Sequence, residues 1–270
     1  VEWRLLSLEP STGARRQWSD PVFAGGSPGL TAAGGRLYVA GDFRSINGVP
    51  RSRLGALDEA TGALLPWAPA AGGIVYALRV QGQRVAIAGA FNSVGGEARR
   101  NLVAIDLTTG RPRPTPEPDF PVWALHAVGD VVVAAGGTGN AGRAIAFGAA
   151  SGTAFPWELS TNGTIYGLAS SERYLFVGGS FLNVEGQPRN GLAAVDLMTA
   201  SLAPLSQGSA WSLNAMAVRN GVLYASGYVP IPGSNLPIVV ALDSNTLGRL
   251  PFAPSPAPGA TSAFAFAPGR

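Results

Sequence analysis

The chain contains no cysteine, and all 19 of its basic side chains are arginine, lysine being absent. The first absence excludes disulfides and thiolate metal sites and leaves the compartment open. The arginines are scattered without a basic run, so the net charge of +3 leaves no electrostatic footprint for nucleic acid, and no nucleic acid partner is expected. Histidine occurs once, at His126, which excludes a His-rich metal centre and any mechanism that needs two imidazoles. No stretch reaches the ~18 uninterrupted apolar residues of a membrane helix, so no membrane span is expected. Dense acidic spacing of the calcium-loop kind is also missing.

What the chain has in abundance is turn-forming residues: 37 glycines and 22 prolines among 270 positions, beside 46% hydrophobic residues. That punctuation suits many short strands joined by turns and places the chain in the all-β class. One segment then repeats. GDFRSINGVPRSRLGALDEATG (Gly41 to Gly62) returns as GAFNSVGGEARRNLVAIDLTTG (Gly89 to Gly110) and as GSFLNVEGQPRNGLAAVDLMTA (Gly179 to Ala200). A worn copy runs from Gly227 to Leu247, with Leu236 where the others have arginine. An Asp-x-x-Thr-Gly turn closes the segment, its acid capping backbone N–H groups and its glycine supplying a positive φ. Counting weaker forms, that turn ends at positions 13, 62, 110, 152, 200 and 247, so six repeats are expected. Five residues beyond stands Trp18, Trp67, Trp157 or Phe252, large enough to anchor a packed interface, while Thr115 and Leu205 replace it in two repeats.

Each repeat reads as a four-stranded antiparallel sheet whose second and third strands are apolar on both faces, as in Leu37 to Ala40 and Val103 to Ile105. Such sheets must stack face to face, and a radial stack closes on itself as a β-propeller. We expect a single propeller domain over residues 1–270, with repeats at about 29–72, 73–121, 122–163, 164–210 and 211–260. Residues 261–270 together with 1–28 form a sixth, composite blade, for which a strand is wanting. Another protein chain, or a further segment of the same protein, is the expected supplier of that strand. Five blades plus a fragment is the alternative.

The motif G-x-F-x-x-x-x-G-x-x-R-x-x-L-x-x-x-D-x-x-T-G followed by tryptophan resembles the bacterial delta-60-type repeat propellers. Its A-x-D-x-x-T-G-x-x-x-x-W portion is similar to blades of quinoprotein dehydrogenases and their non-catalytic scaffold relatives. The resemblance implies an exported bacterial protein, extracellular, periplasmic or at the cell surface, and brings no catalytic residues and no cofactor with it.

Arg51, Arg99 and Arg189 stand at equivalent positions. One reading makes them a ring of guanidinium forks for anions or glycans. The other has each arginine bonding carbonyls of its own loop, and a residue repeated in every blade is more often architecture than site. Asp58, Asp106, Asp196 and Asp243 read as turn caps rather than calcium ligands. His126, with no nucleophile signature near it, reads as a structural histidine. Departures from the repeat are the better guide. The third repeat is shortened, Gly136-Gly137-Thr138-Gly139-Asn140 replacing the long loop, which leaves either a ligand groove or a drifted loop. The functional expectation is a non-enzymatic exported interaction or scaffolding module. The alternatives are a carbohydrate- or polyanion-binding propeller and a propeller enzyme of quinoprotein or glycosidase type.

Overall fold

The computed structural model describes residues 1–9, 11–26, 29–205, 211–232 and 234–251. The expected carboxyl-terminal strand of the composite blade and the anchor Phe252 lie outside them. Among the described residues no helix forms and every regular element is a strand. The chain divides into two compact parts, Val1–Val132 with Phe147–Phe155, and Val133–Ala146 with Pro156–Arg270.

In the first part, Gly29–Ala33, Arg36–Ala40 and Leu54–Asp58 form one antiparallel meander. Ile74–Gln81, Arg84–Ala90, Leu102–Asp106 and the two-residue Pro112–Arg113 form the next. The two meanders share a core in which Tyr38, Leu54 and Ala56 meet Val75, Ile87 and Val103. In the second part, Ile165–Ser170, Tyr174–Gly179 and Leu192–Asp196 make one sheet, and Ser212–Arg219, Val222–Ile231 and Ser234–Asp243 another. Phe176 and Leu192 pack there on Leu213, Leu223 and Leu242. Burying each of these side chains stabilises the fold by about 1.5–3 kcal/mol.

The fourth strand is shorter than its pattern suggested. In several repeats it is a single bridge, Leu57↔Leu64, Val195↔Leu202 or Leu242↔Arg249. Pro66 and Pro204 follow within two residues of the first two bridges, and a proline cannot donate to the ladder. The third repeat has a full-length fourth strand, Ala154–Thr161.

Two local devices recur. At the Asp turn, Asp58 Oδ1 accepts the Thr61 N–H at 2.8 Å and its hydroxyl at 2.7 Å, and Gly62 N–H closes back on the Asp58 carbonyl at 2.8 Å. Asp106, Asp196 and Asp243 accept the matching N–H of Thr109, Thr199 and Thr246, with the same backbone closure from Gly110, Ala200 and Leu247. The closing residue is left-handed in all six cases, at Gly13, Gly62, Gly110, Gly152, Ala200 and Leu247. The second device explains glycine in the Gly-x-Phe motif. A Cβ on Gly89 would sit 2.1 Å from the Ile74 carbonyl oxygen, and one on Gly179 2.1 Å from that of Thr164. The first and second strands touch backbone to backbone here, opposite an irregularity that sets Tyr76, Tyr166 or Asn214 out of register. The aromatic residue two places on is buried, as Phe43 and Phe181 at 0% exposure show.

From these devices we expect Ala200→Gly, at an exposed position with φ 56°, to raise stability by about 0.5–1 kcal/mol, since a Cβ is disfavoured there. Gly179→Ala should lower it by about 1–3 kcal/mol through the clash with the Thr164 carbonyl. Urea unfolding of the two variants beside the parent measures both changes.

Candidate functional site

The long loop between second and third strands is a second, smaller hairpin. Phe43–Ile46 pairs with Val49–Pro50, Ser93–Val94 with Glu97–Ala98, and Asn183–Val184 with Gln187–Pro188. Each is closed by two left-handed residues, Asn47-Gly48, Gly95-Gly96 and Glu185-Gly186, as a two-residue β-hairpin turn requires. Each hairpin also pairs with the segment ahead of its repeat's first strand: Phe23↔Ile46, Ala71↔Val94 and Thr161↔Val184.

The three equivalent arginines brace these hairpins. Arg51 Nη1 donates to the Pro50 carbonyl at 2.9 Å and Nη2 to that of Leu65 at 3.2 Å. Arg189 does the same with Pro188 at 2.8 Å and Ala203 at 3.0 Å. Arg99 donates to the Ala98 carbonyl at 2.7 Å and to the Glu97 carboxylate at 2.7 Å. All three are half-buried, and in all three Nε is buried without a protein hydrogen-bond partner. Two residues on, the chain turns left-handed at Arg53, Asn101 or Gly191, whose N–H bonds the carbonyl of the motif phenylalanine. The guanidinium donors thus face backbone carbonyls of their own repeats.

The four turn aspartates are held below the ordinary carboxylate range by the N–H and hydroxyl groups they accept. For Asp58 the Thr61 hydroxyl is the largest cause, for Asp106 the Thr109 N–H, for Asp196 that of Met198 and for Asp243 that of Thr246. Among the described residues no three His, Asp or Glu side chains gather as a metal group. His126, half-buried on the strand Val122–Val128, has its pKa lowered to about 4, first by burial and then by the Arg79 charge.

Tryptophan anchors the turns. Trp18 lies against Gly62, where a Cβ would come within 2.7 Å of the ring, and its Nε1 donates to the Glu59 carbonyl at 3.2 Å. Trp67, edge-on to Tyr38, leaves Nε1 buried without a protein partner. Tyr76 and Trp123 stack with ring centroids 4.0 Å apart, and burial, then the Asp42 charge, raises the Tyr76 pKa.

A polar cleft of about 460 Å³ opens in the second part beside the shortened third-repeat loop. Asn140 stands at one side, Ser160, Thr161 and Asn162 form the floor, and Asn183, Glu185 and Gly186 of the next hairpin close the other side. The shortened loop was the sequence signal for a groove, and a cleft is found there. The polar floor was not singled out. Its signal lay in the equivalent residues of other repeats, which are Val22-Phe23-Ala24 and Ala70-Ala71-Gly72.

With this geometry in view, comparisons with known proteins give three results. The model of a β-propeller domain of unknown function, DUF5122, matches residues 35–54, the end of one strand turn through the first Phe-to-Arg hairpin. No curated protein matches the chain. Among solved structures, the chain is similar to the WD40 domain of Neurospora crassa Pan2, with a TM-score of 0.58 and 12% identity over 84% of this chain and 65% of that one. It also matches BamB from Moraxella catarrhalis at a TM-score of 0.48 and 20% identity, over 83% of this chain and 61% of that one. The chain thus spans less than two thirds of either. The Pan2 likeness shows the fold, that of a β-propeller.

Folding favours the neutral His126 imidazole. Stability is therefore full above pH 6.5 and falls as the pH drops from there to about 4, by roughly 2–3 kcal/mol. The aspartates act in a separate window, their contribution present above the ordinary carboxylate pKa of 3.8 and lost below it. We expect His126→Gln to flatten the dependence between pH 6.5 and 4 and to leave the acid limb in place, as read from urea midpoints across pH.

Proposed function

We propose, from the premise of a β-propeller, that this chain is a non-enzymatic, exported interaction module that docks another protein through the loop-bearing end of its sheets. It belongs to a larger extracellular or cell-surface assembly. Its architecture is six blades, the last shared by the two ends of the chain. The blade count is supported by six left-handed turn-closing residues at near-regular spacing. Export is supported by the resemblance to delta-60-type propellers, and a non-enzymatic role by an inventory with one histidine and no cysteine.

One observation carries the docking reading. In the fifth repeat the strapped hairpin is replaced by a straight one. Val222–Ile231 and Ser234–Asp243 stay in unbroken register from Val222↔Asp243 to Ile231↔Ser234. Their neighbour Ser212–Arg219 pairs only as far as Tyr228. Residues beyond Tyr228 therefore project past the three-stranded sheet. The projecting sequence, Val229 to Leu236, has no charged residue, and Ile231 and Leu236 are 38% and 51% exposed. Apolar side chains on a raised, uncharged element are what a protein interface buries at its centre. Pro230, Pro232 and Pro237 break the donor row of these strands, so docking by side chains is favoured over further strand pairing.

The test is site-specific photocrosslinking in source cells. A benzoylphenylalanine at position 231 or 236 is expected to yield one discrete protein adduct, with none from position 48 on a strapped hairpin. The pair Ile231→Asp and Leu236→Asp should abolish the interaction and leave the unfolding midpoint nearly unchanged. Adducts at neither position, or equal adducts from position 48, would refute docking through this hairpin.

A further inference from the structure

The polar cleft beside the shortened loop is a separate matter, carried by the chain's own internal comparison. Three hairpins seat in the same way on the segment ahead of them. Asn47, Gly95 and Glu185 each send a backbone N–H to the carbonyl of Val22, Ala70 or Ser160, at 2.8, 2.9 and 3.0 Å. The floor residues in the first two settings are Val22-Phe23-Ala24 and Ala70-Ala71-Gly72, with Phe23 at 0% and Ala71 at 2% exposure. In the third they are Ser160-Thr161-Asn162, and the buried central position, at 9% exposure, carries a hydroxyl. Of the three only Thr161 is buried, where stability alone would favour the apolar residue of the sister sites, since a buried polar group must find a partner; Ser160 and Asn162 are exposed toward the cleft. On the facing hairpin, asparagine at 183 replaces the serine of Ser45 and Ser93.

These side chains are held in place. Asn162 Oδ1 accepts the N–H groups of Leu182 and Asn183 at 2.9 and 2.8 Å. Thr161 Oγ1 donates to the Gly163 carbonyl at 2.6 Å, and Glu185 Oε1 receives the Ser160 N–H. Asn183 Oδ1 is buried in the cleft wall with no protein donor. Asn140, exposed at the tip of the short turn, stands across from it.

We infer that this cleft binds a neutral saccharide. Vicinal sugar hydroxyls both donate and accept, which matches the groups on the exposed residues of the wall: the Asn140 amide, the Ser160 hydroxyl, the Asn162 Nδ2 donor and the second Glu185 oxygen. The volume lies in the range of small-ligand sites. Among the described residues no basic side chain lines the cleft, so an anion has no counter-charge there. One carboxylate supplies little charge for a hard cation, whose affinity rises with the number of charged ligands. Among the described residues no apolar side chain lines it, so a peptide would find no anchor.

Saturation-transfer NMR with soluble neutral gluco-, xylo-, manno- and chito-oligosaccharides tests the assignment. At least one series should show transfer, fitted by titration. The variant Asn162→Gly/Asn183→Ser, which installs the residues found at Gly72 and Ser93, should keep the parent's circular dichroism and weaken binding tenfold or more. If that variant loses its fold, Ser160→Ala serves in its place with a smaller loss expected. Absence of transfer from every series overturns the proposal, as does binding that the variants leave unchanged. So does a rise in melting temperature with calcium chloride alone that the variant abolishes, since the cleft would then be a cation site. None of these residues lies on the Val229 to Leu236 hairpin, so the docking reading stands or falls apart from this one.

Discussion

The structure depends on the contact between two backbones at the Gly-x-Phe motif. Where the first strand of a repeat begins, its carbonyl lies about where a Cβ of the second strand's glycine would be, as with Thr164 and Gly179. That approach lets the next aromatic residue turn inward and be buried, and it launches the hairpin that crosses back to the segment ahead of the repeat. Each repeat thereby ties itself to the chain that precedes it.

Around this contact, repetition and its breakdown separate architecture from function. The equivalent arginines spend their Nη donors on carbonyls and a carboxylate within their own repeats, which gives each strapped hairpin one shape. The turn aspartates do the same for the short connection between third and fourth strands. The departures are of two kinds. In the fifth repeat the arginine is Leu236 and the hairpin stands straight, raising an uncharged apolar element. In the third repeat the loop is cut short, and the next hairpin faces a polar floor in place of an apolar one. One departure suits a protein surface and the other a hydroxyl-bearing ligand. The two departures sit on different repeats.

Legibility in the sequence followed the range of the interaction concerned. Turns are local, and the six closing positions were readable because aspartate, threonine and glycine act within five residues of one another. All six are left-handed, even where glycine has become Ala200 or Leu247. The missing loop was readable, and left a groove and a drifted loop as alternatives. The polar floor of the groove was harder to see, because no local motif marks Ser160 to Asn162 as the counterparts of residues in other repeats. Only the pairing Thr161↔Val184 shows that they stand where Phe23 and Ala71 stand. The fourth strands were overdrawn for a similar reason: residue type favoured a strand, but the ladder stops where proline removes the donor.

By itself, then, the amino-acid order determined the all-β class, the repeat and its period, the turn chemistry and the places where the repeat fails. These rest on contacts between residues close in the chain, and periodicity exposes them. The tertiary structure decided which partners the arginine donors find, that Asn183 Oδ1 is buried without a protein donor, and that Ile231 and Leu236 lie beyond the pairing of Ser212–Arg219. Those outcomes depend on residues brought together from distant positions, and on how much water remains around each atom once they meet.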